Sequence, residues 1–278
     1  MQEYSGELVL RNRDARRLMK GLKIKTNPFT QLQEFLDECN DKNPRRNKDG
    51  EWEVRFLTPD VAPEARAEWL DNIADDVMTA AAALHMIYGE NVLTGPSDWG
   101  IAPGGARWAP LDRLCHIADQ VMDAKASVKY GIIAAGSTRK LKDPEKAVVQ
   151  DYAPGAETEY DLCCAAAKKV LKRYPELHIE TVCSPNENSG NDEVIAKVME
   201  HIGGGKGLRI AIATTQIYHV GAFLDAARYK QQYAWDSVKV AGHCTPPWQK
   251  FDRDPLKTYL PECLTTYRKA AIAFAEGC

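Results

Sequence analysis

The chain of 278 residues lacks any long uninterrupted apolar run. Nothing in it approaches the roughly 20 residues needed to cross a bilayer, so no membrane span is expected. Its opening stretch, MQEYSGELVLRNRDARR, holds no apolar segment of the secretory type. Paired cysteines are missing as well. The eight cysteines (39, 115, 163, 164, 183, 244, 263 and 278) show no C-x-x-C spacing, and several fall on apolar faces of expected helices. In a chain of this size that pattern reads as reduced, buried thiols, and so as a cytoplasmic protein. There is no large excess of one charge either. A formal net charge of −3 argues against nucleic acid as the main partner, while leaving room for a local basic patch. The neighbours Cys115–His116 and His243–Cys244 lack the spacing of a zinc site, so no metal is expected. GGGKG at 203–207 fails as a phosphate loop, because glycine follows the lysine and the strand comes afterwards. P-G-G-A-R at 103–107 is too short for a dinucleotide fingerprint. Neither internal repeats nor low-complexity tracts occur.

What is present is the composition of an ordinary globular protein, 44% hydrophobic and 27% charged. Leu208 to Tyr229 organises the rest: an apolar run through Ile210 and Ile212 stops at Thr214 and Thr215, and a polar turn leads to His219. From Val220 apolar residues recur at helical spacing, through Leu224 and Ala227. This predicts a buried strand, a turn and a helix. Residues 1–90 read as a helical extension. A basic amphipathic stretch runs from Arg11 to Lys25, a second helix from Pro28 to Cys39, and a polar loop follows. Ile73, Val77, Ala80, Leu84 and Ile87 form one stripe of a helix that starts at Pro63 and ends near Gly89. His85 beside the stripe reads as a packed or surface histidine.

From 91 to 278 strands alternate with helices. Strands are expected at 91–93 or 99–102, at 128–136, 178–184, 208–215 and 237–243, with helices at 111–124, 157–174 and 192–202. A last helix, Pro255 to Phe274, is expected to kink at Pro261 or to start near Glu262. Such alternation predicts parallel β-α-β units with right-handed crossovers, and hence a three-layer α/β sandwich with a mainly parallel sheet.

In such a sheet, the turns after successive strands gather on one rim, where ligands bind. They bring Gly104 and Gly105, Gly136 and Ser137, Asn186, Asn188 and Asn191, and Thr214, Thr215 and His219. Glycines let a ligand approach the backbone, and Asn and Thr supply neutral donors and acceptors. Glu159 and His219 are the candidate acid–base pair. Arg113 either neutralises ligand charge or serves as a structural ion-pair partner. Cys183 at a strand end could act as a nucleophile but reads as a buried thiol. Against all this, Gly, Asn and Thr populate ordinary turns.

The order of these segments resembles the ElyC/SanA/YdcF family of bacterial α/β proteins over roughly residues 95–270. The likeness rests on D-R-L (Asp112, Arg113, Leu114), on I-I-A-A-G-S with a later T-E pair (Gly136, Ser137, Thr158, Glu159), and on E-N-S-G-N (Asn188, Asn191). It continues through A-T-T-Q-I-Y-H (Thr214, Thr215, His219) to Y-L-P-E (Tyr259, Glu262). The resemblance implies a Rossmann-like sheet with a polar cleft, and it links several members to envelope metabolism. Ala222 stands where the family usually has arginine, Asn188 where it has threonine, and the first strand is less apolar than the family's. The expectation is therefore a soluble YdcF-like enzyme that binds a small anionic or nucleotide-like ligand, with S-adenosylmethionine one candidate cofactor by analogy of fold. A hydrolase of a phosphate or amide is the alternative, as is a non-catalytic ligand-binding or regulatory module. The sequence leaves the substrate and any homo-oligomer open.

Overall fold

A computed structural model of the protein describes residues 4–43, 45–46, 52–53, 63–87, 92–187, 190–243 and 255–278. In chain order the elements are α1 (Gly6–Arg11), α2 (Arg13–Gly21), α3 (Leu32–Lys42), the short antiparallel pair β1 (Arg45–Arg46) and β2 (Trp52–Glu53), and α4 (Pro63–Ala83). Then come β3 (Gly95–Pro103), α5 (Ala109–Met122), β4 (Ala126–Ser137), α6 (Asp143–Val149), α7 (Glu159–Arg173), β5 (Ile179–Ser184) and α8 (Asn191–His201). The chain closes with β6 (Arg209–Thr215), a 3-10 turn (Gln216–Tyr218), α9 (His219–Gln232), β7 (Ser237–His243), α10 (Pro255–Thr258) and α11 (Leu260–Ala275). These elements form two compact units: Met1–Gly89 with Gln216–Arg228 and Pro246–Cys278, and Glu90–Thr215 with Tyr229–Thr245.

The first unit is helical. The basic stretch from Arg11 forms α2, preceded by a separate helix α1 that ends at Arg11; between them the Asn12 side chain accepts the N–H groups of Asp14 and Ala15 at 2.9 and 3.2 Å and so caps α2. Leu18, Met19 and Leu22 point inward, and the cations between them face out. Ile73, Val77, Ala80 and Leu84 are buried along α4, as their spacing requires. That helix ends at Ala83, earlier than the expected Gly89, and His85 beyond it has a positive φ of 52°. The unit is more than an N-terminal extension, because Leu260, Cys263, Leu264, Tyr267 and Ala270 of α11 share its core with Leu18, Phe35 and Val77. Helix α11 restarts after Tyr259 with Pro261 in its first turn, where the missing N–H costs nothing. Within this unit Val220 and Leu224 of α9 are buried, with Ala226 in place of the expected Ala227.

The second unit is a three-layer α/β Rossmann-like sandwich. Its five strands are all parallel and ordered β5-β4-β3-β6-β7. Ile132, Ile133, Ala134 and Ala135 of β4 are buried in succession, because both faces of a parallel sheet are covered. Leu114, Ile117 and Ala118 of α5 pack with Leu162, Ala166 and Val170 of α7 and with Ile132 and Ala134 of β4. With this strand order, the right-handed rule for parallel crossovers puts α5 and α7 on one face from β3 to β4 to β5, and the return to β6 carries α8 to the other. Register slips between Ser97 and Trp99 opposite Gly131, whose φ of 155° and closeness to the His178 backbone leave no room for a side chain. The loop expected between β4 and Pro154 contains α6, which its Glu145 side chain stabilises by accepting the Lys142 N–H at 2.8 Å.

Candidate functional site

Strand order reverses between β3 and β6, the point at which open α/β sheets bind ligands beyond the carboxyl ends of their strands. The turn after β3 is the P-G-G-A-R segment, and it is strained. Gly105 has a φ of 154° and Arg107, which is exposed, a φ of 60°. Non-glycine residues with positive φ are uncommon and cluster at functional turns. Helix α5 follows at once, with Trp108 at the cap position; the Ala109 N–H turns back onto the Ala106 carbonyl at 3.3 Å, and Pro110 has no N–H to offer. The opening turn still carries the positive end of the helix dipole.

Arg113, one turn into α5, holds this turn in place. Its Nη1 donates to the carbonyl of Pro103 at 2.9 Å and to that of Gly104, and its Nη2 donates to Thr215 Oγ1 at 3.2 Å. The side chain is buried and its charge is spent on the ends of β3 and β6. The geometry gives Arg113 a structural role through two carbonyls and a hydroxyl, which differs from the ion pair expected of it. Thr214 and Thr215 are buried with it, paired in register with Gly242 and His243.

A second cluster closes the end of β4. Gly104 N–H donates to the Ala135 carbonyl at 2.5 Å, and a Cβ on Gly104 would lie 3.0 Å from Gly136 Cα. Gly136 in turn has Cys163 Sγ and the Glu159 backbone where its own Cβ would be, at 2.9 and 3.2 Å. Ser137, fully buried, donates to Glu159 Oε2 at 2.8 Å. Arg139 donates from Nε to Glu159 Oε1 at 2.7 Å and from Nη1 to Glu145 Oε2 at 3.2 Å. Burial opposes the charge on Arg139, but the two glutamates outweigh it and raise its pKa. Burial likewise works against the Glu145 carboxylate, yet the Lys142 N–H and Arg139 overcome it and lower that pKa. Glu159 thus accepts from both Ser137 and Arg139, which fixes its carboxylate and orients the Ser137 hydroxyl.

The third turn joins the second through Thr138, which donates from Oγ1 to the Pro185 carbonyl at 2.8 Å. Asn186 spends its amide on Glu193 at 3.0 Å, and Asn191 stands exposed as the first residue of α8. Asn188 lies outside the described residues. His219 belongs to the first unit, buried edge-on to the Tyr4 ring at 6.0 Å, so the turn after β6 is not the solvated one its composition suggested. Gly104, Gly105, Arg113 and Thr215 therefore form one linked group, and Gly136, Ser137 and Glu159 another that adjoins it through Gly104.

Arg107 and Arg139 are the residues that sequence reasoning missed. Arg107 lay within the quoted P-G-G-A-R, and Arg139 directly follows G-S-T, but nothing local marks either as a rim cation. Elsewhere, burial raises the pKa of the Cys183 thiol, which disfavours a thiolate nucleophile. Cys115 is pushed up to about 11, mainly by burial. Among the described residues no three or more His, Cys, Asp or Glu side chains gather as metal ligands. Comparison with protein-family models, curated proteins and solved structures finds no match for this chain.

Proposed function

We propose that the protein binds a small anionic, nucleotide-like molecule at the carboxyl rim of its sheet. The observation that carries this reading is the strained glycine turn between β3 and α5, located where strand order reverses. There the exposed Arg107, beside the positive end of α5, would receive a phosphate or carboxylate. Gly104 and Gly105 would let it approach the backbone, and Arg113 would keep the turn rigid. A YdcF-like enzyme of transferase or hydrolase type would use Glu159 for proton transfer. S-adenosylmethionine, with its adenosyl group and carboxylate, is one occupant of that chemistry.

Calorimetric titration with ATP, S-adenosylmethionine and a sugar phosphate tests the reading. At least one should bind, and Arg107→Ala should weaken it about tenfold or more, the loss expected for one hydrogen bond to a charged group. Undiminished binding by Arg107→Ala, or no binding of any anion, would overturn it.

A non-catalytic binding module is the second reading. It is favoured by the way Ser137, Glu159, Arg139 and Glu145 satisfy one another, and by Asp112, an acidic residue already in the first turn of α5. Glu159→Gln separates the two: an enzyme loses turnover of the bound ligand, whereas a binding module keeps its affinity and has no turnover to lose.

A further inference from the structure

The basic run from Arg11 to Lys25 folds into a groove that the rim site does not use. Two adjoining concavities share Arg16, Met19 and Pro28. One, of about 360 Å³, is lined by Arg16, Lys20, Lys23 and Lys25 around Met19 and Ile24. The other, of about 370 Å³, adds Arg11 and Phe29. No carboxylate lines either one among the described residues. Both have the dimensions of small-ligand sites.

The cations are placed by the backbone. Arg16 and Lys20 are exposed and four residues apart on α2, which puts them on one face. Like charges at that spacing weaken a helix, so folding alone gives no reason for the pair. The loop that follows is pinned: Lys23 takes a φ of 57°, and the N–H groups of Lys25 and Thr26 donate to the Glu38 carboxylate at 2.9 and 3.0 Å. Glu38 thus ties down the loop's backbone. Arg17, whose guanidinium Asp76 holds at 2.6 Å, does not line the groove.

The far end limits what can lie there. Arg11 stands 5.2 Å over the Phe29 ring and pairs with Glu7 at 2.7 Å, and Phe274 closes the ring edge-on at 5.0 Å. With that ring covered, the groove offers no aromatic platform for stacked bases, which single-stranded nucleic acid uses. What remains is a compact set of cations over an apolar floor of Met19, Ile24 and Pro28.

We propose that this groove is a second ligand site, separate from the sheet rim, for a small molecule carrying two or more phosphate groups. Arg16 and Lys20 bind it from α2, and Lys23 and Lys25 bind it from the loop. The test is calorimetric titration of the full chain with tripolyphosphate and with ATP. Sedimentation with phosphatidylcholine vesicles containing either phosphatidylinositol bisphosphate or phosphatidylserine at equal charge runs alongside. Arg16→Gln with Lys20→Gln is compared with Lys125→Gln with Lys197→Gln, a control pair outside the groove.

Tripolyphosphate binding that falls at least about tenfold in the groove variant and not in the control supports a free polyphosphate. Binding confined to the bisphosphate vesicles, lost in the same variant, supports the same chemistry on a lipid headgroup. The proposal fails if nothing binds, if both variants weaken binding equally, or if phosphatidylserine vesicles hold the chain as well as bisphosphate ones. Both pairs lie on the surface, and matching thermal midpoints would show that the variants fold. An intact groove response in Arg107→Ala would keep this site distinct from the rim.

Discussion

At the scale of single residues, an ion pair ties two strands of the sheet unit together. Asp98 on β3 accepts the Arg209 N–H at 2.8 Å and the guanidinium at 3.0 and 2.9 Å, which joins β3 to β6 at the edge opposite the rim. The side-chain bond from Arg209 is the main cause that lowers the Asp98 carboxyl from 3.8 to about 2. A carboxyl depressed by folding adds stability that is fully present above its ordinary pKa and is lost as pH falls through the folded value. Asp98→Asn should therefore be less stable than the parent at neutral pH, with the gap closing as pH drops from about 3.8 to about 2. Urea midpoints measured across that range check this, and a gap that stays constant would show that the pair contributes nothing through ionisation. Arg113 makes the complementary point about legibility. The D-R-L motif marks it as a candidate, yet only its contact with Thr215, 102 residues away, tells which role it plays.

At the scale of elements, the helices were the most readable part of the chain. Their apolar periodicity explains why, and capping chemistry fixes where they begin: α7 opens with Thr158 accepting the Asp161 N–H at 3.2 Å while the Asp161 carboxylate accepts the Thr158 N–H at 2.8 Å. Thr158→Ala should cost about 1 kcal/mol. Because that cap positions Glu159 as the first residue of the helix, the loss should be accompanied by weaker protection of the 158–161 amides in hydrogen exchange. A variant that unfolds at the parent's urea midpoint would mean that the carboxylate alone carries the cap. Helix α6 was among the elements missed, with α1 and the β1–β2 pair, since seven residues between Lys142 and Gln150 show too short an apolar pattern to stand out. What holds it is the Arg139–Glu145 ion pair at 3.2 Å, a contact that reaches outside the helix.

At the scale of the whole molecule, the described residues build two apolar cores with no residue in common. Leu18 is fully buried in one and Leu114 in the other. Each truncation to alanine should cost about 2–5 kcal/mol from lost transfer energy and the cavity left behind. Without shared neighbours, the two effects should add to within about 0.5 kcal/mol in the double variant. A larger coupling energy in denaturant titrations would mean that the cores do not respond separately. The linear reading, with helices first and sheet afterwards, misplaced α11 because a stripe such as Leu260, Cys263 and Tyr267 says that a helix is buried but not against what.

By itself the sequence determined the parallel α/β sheet and nearly every helix. Strand runs such as Ile132–Ala135 and stripes such as Ile73–Val77–Ala80–Leu84 are local periodicities, and local geometry converts them into elements. Tertiary structure alone decided which turns meet: Gly104 against Gly136, Arg113 on Thr215, Arg139 between Glu145 and Glu159. It also put Tyr267 of the last helix in a core with Leu18. The reason is physical. Those contacts follow from strand order and from which faces become buried together, and both are settled by packing between distant segments, of which no short stretch carries a trace.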